Sequence, residues 1–349
     1  MGTAMLGEST QSRNTPMAPG NFFPASVRWI GAGLYLMLTC HTAVHAQDMA
    51  AQRQLALEVP IADMHMHTYP GLTAEELRGQ MDRNRVRWGG AVGATTYGPY
   101  GPNVQEFIQT LGPRYIPAGA QPDFTVLYTT GGTAAMENAE NPAFQNLLVR
   151  LEQEFANKSI RGIGELILNN RYSHPLPAFR RKAQVDAPTI EALFDLAAKH
   201  GGFVQLHMED DTDSVASLER LLRKHPAMPV ILSHCMARAT AASAQALLAR
   251  HPQLYCELSA RSSVTLKSPQ LQTYQIHDAS TASPAWVALI EAMPDRFMLG
   301  SDATGRSHSY DELISVLRTG LLPALREPTL RKVAYANAQR LFQLQDPLQ

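Results

Sequence analysis

The chain has 349 residues, 45% of them hydrophobic and 17% charged, with a formal net charge of -1. That length allows one large domain or two small ones with ample core, and a near-neutral balance without a basic run excludes the electrostatic footprint of a nucleic-acid binder. No apolar stretch is long enough for an ordinary membrane span, so the expected partner is a small molecule, with no nucleic acid, no lasting membrane span and the oligomeric state left open.

Residues 1–46 stand apart. Asn14 to Pro24 is polar and broken by Pro16, Pro19 and Pro24. Arg28 then precedes a short apolar run, Trp29 to Cys40, and Val44-His45-Ala46 offers small residues at the -3 and -1 positions. This pattern predicts a secretory signal over 1–46, cleaved before Gln47, and a periplasmic or secreted working domain over 47–349. An uncleaved anchor is the alternative. Thr39 makes Cys40 a poor lipoprotein site, and Met17 is an alternative start. After cleavage only Cys235 and Cys256 remain, too few for a disulfide framework. They are expected as buried free thiols, with a single bridge between them as the alternative.

From Gln47 onward, short apolar runs alternate with amphipathic segments. Ile61 to Met66 reads as the first strand, and Thr73-Ala74-Glu75-Glu76 as a capping box opening a helix to about Asn84. Gly89 to Thr95 is predicted as a second strand, before a loop at Tyr97 to Pro102 and a helix at Val104 to Leu111. Phe124 to Thr129 is predicted as the third strand. Ala143 to Ala156 is an amphipathic helix, with Phe144, Leu147, Leu148, Leu151 and Phe155 at helical spacing. Strands are then expected at Ile160 to Leu168, Phe203 to His207, Pro229 to Ser233, Leu254 to Ser259 and Arg296 to Ser301. Helices are expected between them at Thr189 to His200, Ser214 to Lys224, Ala239 to Arg250 and Pro284 to Met293. Long loops run from Asn169 to Pro188 and from Arg261 to Ser283, and helices at Tyr310 to Arg318 and Pro328 to Phe342 close the chain. Eight strands, each followed by a helix, argue for an α/β fold of one closed (β/α)8 barrel. An open doubly wound sheet is the alternative, weakened because no glycine-rich phosphate loop follows the first strand.

Polar residues fall where such a barrel places its chemistry. His65 and His67, at i and i+2, point to one face at the end of the first strand. Glu165 lies on the fourth strand, His207 ends the fifth, His234 the sixth and Asp302 the eighth. Each follows an apolar run, at the carboxyl-end face where barrel active sites form. Imidazoles and carboxylates suit zinc, manganese, iron or nickel rather than calcium. Six ligands exceed one tetrahedral zinc, which leaves two arrangements. In one, His65, His67 and Asp302 hold one ion, His207 and His234 hold another, and Glu165 bridges. In the other a single ion is bound and some of the six orient water or substrate.

With these residues the chain resembles the metal-dependent amidohydrolase superfamily of TIM barrels, and within it the amidohydrolase-related group of lactonases and non-oxidative decarboxylases. The resemblance covers about Val59 to Phe342. It rests on His65, His67, His207, His234 and Asp302, on the helix from Ala74 into Val86, and on the closing Asn337-Ala338-Gln339-Arg340-Leu341-Phe342. Strand four departs from the common pattern, in which many members carry a carboxylated lysine and many one-metal members no ligand. Glu165 stands there, as in the TatD-type nucleases, and favours two metals. The resemblance implies a metal-dependent hydrolase, with zinc first among the ions, in which metal-activated water cleaves a lactone, amide or ester. Asp302 is the expected general acid-base. No Gly-Xaa-Ser-Xaa-Gly elbow offers a serine nucleophile instead. The alternative is a decarboxylase on the same fold.

Arg261, after strand seven, is a candidate for binding a substrate carboxylate, since guanidinium forks match that geometry. Arg306 and His308 are weaker candidates for the pocket border. The acidic run Glu209, Asp210, Asp211 and Asp213 reads as a helix start. His174, Arg180, Arg181 and Lys182 lie in the long loop after strand four, a plausible lid.

Overall fold

Ile61, Ala62 and Asp63 are buried and pair in parallel with Val86, Trp88 and Gly89, so the first strand, β1 (Ile61–Asp63), lies beside β2 (Val86–Gly90). In turn β2 pairs with β3 (Tyr115–Ile116) through Gly89↔Tyr115 and Gly90↔Ile116. Pro117 has no N–H to give a ladder, and the chain resumes at once as β4 (Ala118–Ala120), which pairs with β5 (Gly162–Ile167). Thus β3 and β4 are the two halves of one barrel strand. From β5 the ladder continues in parallel through β6 (Phe203–His207), β7 (Val230–Leu232), β8 (Leu254–Glu257) and β9 (Phe297–Met298). The ring closes where β9 runs on to meet β1: Asp63 bridges Leu299 in parallel, and Met64 N donates to Leu299 O at 2.8 Å. The result is the closed (β/α)8 barrel expected from the sequence.

The structure, a computed structural model, describes residues 48–95, 103–174, 176–305 and 308–346. The expected signal segment 1–46, the loop Tyr97 to Pro102 and Arg306 lie outside the described residues. No described helix is long and apolar enough to cross a membrane.

The core has two layers, set by the period of two along each strand. Ala62, Trp88, Ile116, Phe203, Ile231 and Met298 fill the barrel interior. Their chain neighbours Ile61, Val204, Val230, Leu232, Phe297 and Leu299 pack outward against the helices. Phe342 closes the interior with an edge-on contact to Phe203, ring centroids 4.9 Å apart. The same alternation turns Phe203, Gln205 and His207 to one side of β6, which carries His207 to the barrel mouth.

Two predicted strands are corrected. The third is not Phe124 to Thr129, which lies inside the helix Gln121–Glu137. Its β-branched and aromatic run favours a strand locally, but Phe124 and Leu127 are buried at helical spacing. The hydroxyls of Thr125, Thr129 and Thr130 satisfy themselves on the carbonyls of Gln121, Thr125 and Val126, at 3.2, 3.0 and 2.8 Å. The true strand, Tyr115 to Ala120, is hidden by its proline and small residues. The second strand ends at Gly90 rather than Thr95.

Candidate metal centre

The ends of five strands, β1, β5, β6, β7 and β9, bring six side chains to the carboxyl end of the barrel. His65 and His67 follow β1, and His65 O accepts from Asp302 N at 2.8 Å, which ties the first-strand pair to the loop after β9. On β5 the ladder with β6 is irregular between Ile163 and Leu166. Such an irregularity re-aims a side chain, here Glu165, into the mouth. Gly164 has a φ of +146°, and a Cβ on it would lie 2.8 Å from Gln205 O, so only glycine fits there. His234 and Asp302 both adopt left-handed backbone, with φ of +56° and +55°, at a cost of about 1 kcal/mol each for a non-glycine residue.

The six form two halves that share Glu165, and His234 also lies within reach of His65 and Asp302. In the first, His65 Nε2 and His67 Nε2 lie 3.1 Å apart. Asp302 Oδ1 is 3.5 and 3.4 Å from them, and Glu165 Oε2 is 3.5 and 4.0 Å away. In the second, Glu165 Oε1 is 3.0 Å from His207 Nδ1 and 3.4 Å from His234 Nε2. Three of the rings are oriented from behind. His65 Nδ1 donates to Glu257 Oε2 at 2.8 Å, His67 Nδ1 to Gly93 O at 3.0 Å, and His234 Nδ1 to Ser259 O at 3.3 Å, with Ser259 Oγ 2.9 Å away.

This pattern tests whether a cation fits. A carboxylate and a main-chain carbonyl only accept, so His65 and His67 each turn an Nδ1 proton outward. Their Nε2 atoms, 3.1 Å apart beside two carboxylates, then need one positive charge between them, which a shared proton or a bound cation supplies. His207 Nε2 is buried without a hydrogen-bond partner among the described residues. The donor set fits one or two divalent ions of the zinc or manganese type, and His65, His67, His207, His234, Glu165 and Asp302 form the candidate groups.

Burial opposes charge on His65, but Glu165, Glu257 and Asp302 outweigh it and hold its pKa well above the ordinary value. For Glu165, burial works against ionisation, yet His65 and His207 hold the carboxyl well below its usual range. Asp302 is likewise lowered, His65 overcoming its burial. The site therefore prefers positive charge in its centre. Asp302 is its open edge, with 27% of its side chain exposed against 4% for Glu165.

Arg261 is corrected. Its guanidinium does not present a free fork to a substrate. Nε donates to Tyr274 O at 2.6 Å, Nη1 to His234 O and Met236 O at 3.0 and 3.2 Å, and Nη2 to Ala239 O at 2.7 Å. Burial pushes its pKa down to about 9, and it stacks 5.0 Å over Trp286. It braces the left-handed turn that presents His234. The expectation of free thiols is also corrected: Cys235 and Cys256 form a disulfide, Cα atoms 4.5 Å apart, joining the residue after His234 to the residue before Glu257. His308 faces Glu312 at 3.7 Å. In the acidic run, Asp211 caps the helix Thr212–Lys224 by accepting from Ser214 N at 3.2 Å.

Sequence reasoning passed over Glu257, Gln205 and Asp63. Glu257 ends an apolar strand just as the six do, and that was the available signal. With its amide oriented to satisfy its neighbours, Gln205 accepts from His65 Nδ1 at 3.2 Å and donates to Ala91 O at 3.1 Å. Asp63 is buried and accepts from Tyr310 Oη at 2.9 Å and from Ser301 N at 2.8 Å. Burial raises its pKa against those hydrogen bonds.

Residues 132–344 match the family model described as Amidohydrolase. The chain belongs to the amidohydrolase family. The matched amidohydrolase segment takes in Glu165, His207, His234 and Asp302, while His65 and His67 precede it. No curated protein matches the sequence. Among solved structures the chain is similar to a probable 2-pyrone-4,6-dicarboxylic acid hydrolase from Acinetobacter baumannii, at 15% identity over 81% of this chain and 99% of that one, with a TM-score of 0.48. It is also similar to dihydroorotase from Campylobacter jejuni, at 14% identity over 82% and 84% and a TM-score of 0.49. A third likeness is to 5-carboxyvanillate decarboxylase from Sphingomonas paucimobilis, at 14% identity over 78% and 83% and a TM-score of 0.40.

Proposed function

We propose that this amidohydrolase-family enzyme is a two-metal hydrolase that cleaves a lactone, amide or ester bond of a small molecule. The observation that carries the reading is the division of Glu165, with Oε2 turned to the His65, His67 and Asp302 half and Oε1 to the His207 and His234 half. In this reading His65, His67 and Asp302 would hold one ion and His207 and His234 the other, with Glu165 available to both. Divalent ions held there, zinc first among them, would lower the pKa of water and polarise a carbonyl oxygen.

The chain's own residues supply the rest. The hydrogen bonds that His65, His67 and His234 donate to Glu257, Gly93 and Ser259 fix three imidazoles so that none needs to reorient when a substrate arrives. Asp302, a carboxylate held in its ionised form at the open edge, takes a proton from the attacking water and returns it to the leaving group. Water thus adds its oxygen to the acyl carbon, the acyl bond to the leaving group breaks, and the proton ends on that group.

The test is metal analysis of the purified protein together with turnover of a panel of lactones, amides and esters in 18O-labelled water. Two ions per chain and one labelled oxygen in the product are expected. Carbon dioxide released without labelled oxygen in the product would place the enzyme with the decarboxylases instead.

The region before Gln47 is proposed as a cleaved secretory signal and the mature enzyme as periplasmic or secreted. The Cys235–Cys256 disulfide supports that reading, because such bonds persist in oxidising compartments. N-terminal sequencing of the exported form tests it.

A further inference from the structure

Three adjacent cations in the loop after β5 have different fates. Arg180 Nε donates to His174 O at 2.8 Å, and Lys182 Nζ donates to Asp211 Oδ1 at 3.1 Å. Arg181, between them, is turned inward: only 6% of the residue is exposed, and its Nε and Nη1 are buried with no hydrogen-bond partner among the described residues. It is not there by slack in the loop. Its own N donates to Asn170 Oδ1 at 2.7 Å, its O accepts from Asn170 N at 3.1 Å, and Ala183 N donates to Leu168 O at 2.8 Å. The returning arm of the loop is thereby pinned along the exit of β5, the strand that carries Glu165. Tyr128 underlies the arm from the helix Gln121–Glu137. Its hydroxyl donates to Arg180 O, and its ring lies 4.6 Å from the Arg181 guanidinium carbon.

A buried guanidinium with idle donors is costly unless an anion meets it. The Tyr128 ring supplies part of that compensation. Burial lowers the Arg181 pKa, opposed by Tyr128 and then Glu165, and the hydrogen bonds to Leu168 and Asn170 place its stretch of chain just beyond the end of β5. Glu165 forms no ion pair with it among the described residues, its oxygens lying instead against histidines.

We propose that Arg181 is a substrate-anchoring residue that takes a carboxylate of the substrate, so that the molecule cleaved in the metal centre carries a carboxylate besides its scissile bond. One unpaired guanidinium balances one negative charge, which suits a carboxylate better than a phosphate dianion. The proposal rests on the metal-centre reading for the location of the reaction, but the anchor is testable without turnover. The outer neighbours Arg180 and Lys182 hold the loop and take no part in binding.

The experiment is calorimetric titration of benzoate, and separately of inorganic phosphate, into the metal-loaded wild type and into Arg181→Met and Arg180→Met, with metal content matched. Loss of a charge-assisted pair predicts a benzoate affinity about 10- to 100-fold weaker in Arg181→Met and unchanged in Arg180→Met. Arg181→Lys should keep part of the affinity. Equal benzoate binding by wild type and Arg181→Met overturns the anchor, as does absence of benzoate binding to wild type. Phosphate binding that depends on Arg181 where benzoate binding does not overturns the carboxylate assignment. Failure of the hydrolase reading would show separately, as absence of labelled oxygen in product with the Arg181-dependent binding intact.

Discussion

Glu257 accepts the Nδ1 proton of His65 at 2.8 Å, and the same Oε2 accepts from the main-chain N of His234 at 3.3 Å. One buried carboxylate therefore orients a histidine from each half of the cluster. Gly300 makes the close packing possible, because a Cβ on it would lie 2.6 Å from His65 Cβ and would also overlap Glu257. Glu257→Gln keeps the shape and weakens the hold on the His65 tautomer. Metal affinity should fall by about 10- to 100-fold, the usual cost of losing such a partner, with the circular dichroism spectrum unchanged. Competition against a chelator measures it, and undiminished affinity would show Glu257 to be packing alone.

Asp302 and Glu165 should fail differently. Asp302→Asn removes the proton acceptor at the open edge, and turnover should fall by about 10²–10⁴-fold without recovery in excess metal. Glu165→Gln leaves the acid-base group in place and weakens both halves, so bound metal should fall and excess metal should restore part of the rate. Titrating metal into both variants while following turnover and metal content separates them. Full rescue of Asp302→Asn, with Glu165→Gln fully loaded yet inactive, would reverse the two roles.

The Cys235–Cys256 bond closes a loop spanning 21 residues of sequence, which confers about 3 kcal/mol by restricting the unfolded chain. Urea unfolding with and without reductant should show that difference, and the Cys235→Ala/Cys256→Ala variant should match the reduced protein. Identical midpoints for all three would mean that the bond contributes nothing to stability.

His277 is buried, its Nδ1 donates to Asp278 O at 3.1 Å, and burial pushes its pKa down to about 4. The unfolded chain takes up a proton near pH 6.5 that the native protein accepts only near 4. The contribution is therefore whole above pH 6.5 and is lost as pH falls through that window, by up to about 3 kcal/mol. His277→Gln should flatten this part of the stability profile. Comparing urea midpoints at pH 7 and pH 4.5 for both proteins isolates it, since the other acid-sensitive groups cancel in the difference.

The barrel and the gathering of its histidines and carboxylates at one end were legible in the sequence because both follow from periods that neighbouring residues set. Apolar runs ending in His65, His67, His207, His234 and Asp302 mark the carboxyl ends of strands, and amphipathic spacing such as Phe144, Leu147 and Leu151 marks the helices between them. The third strand was not legible, since Tyr115 to Ala120 is short, small and split by Pro117, while Phe124 to Thr129 has stronger local β preference. Contacts from the rest of the barrel outweigh that preference, and the threonine hydroxyls make the helix tolerable. Tertiary structure alone decided how the donors divide around Glu165, because the irregularity on β5 and the left-handed turns at His234 and Asp302 have no local pattern. It also decided that Arg261 faces main-chain carbonyls while Nε and Nη1 of Arg181 have no partner among the described residues, and that Cys235 and Cys256 meet. A side chain's partner across the barrel depends on the register of strands far apart in the chain, and no short stretch of sequence carries that distance.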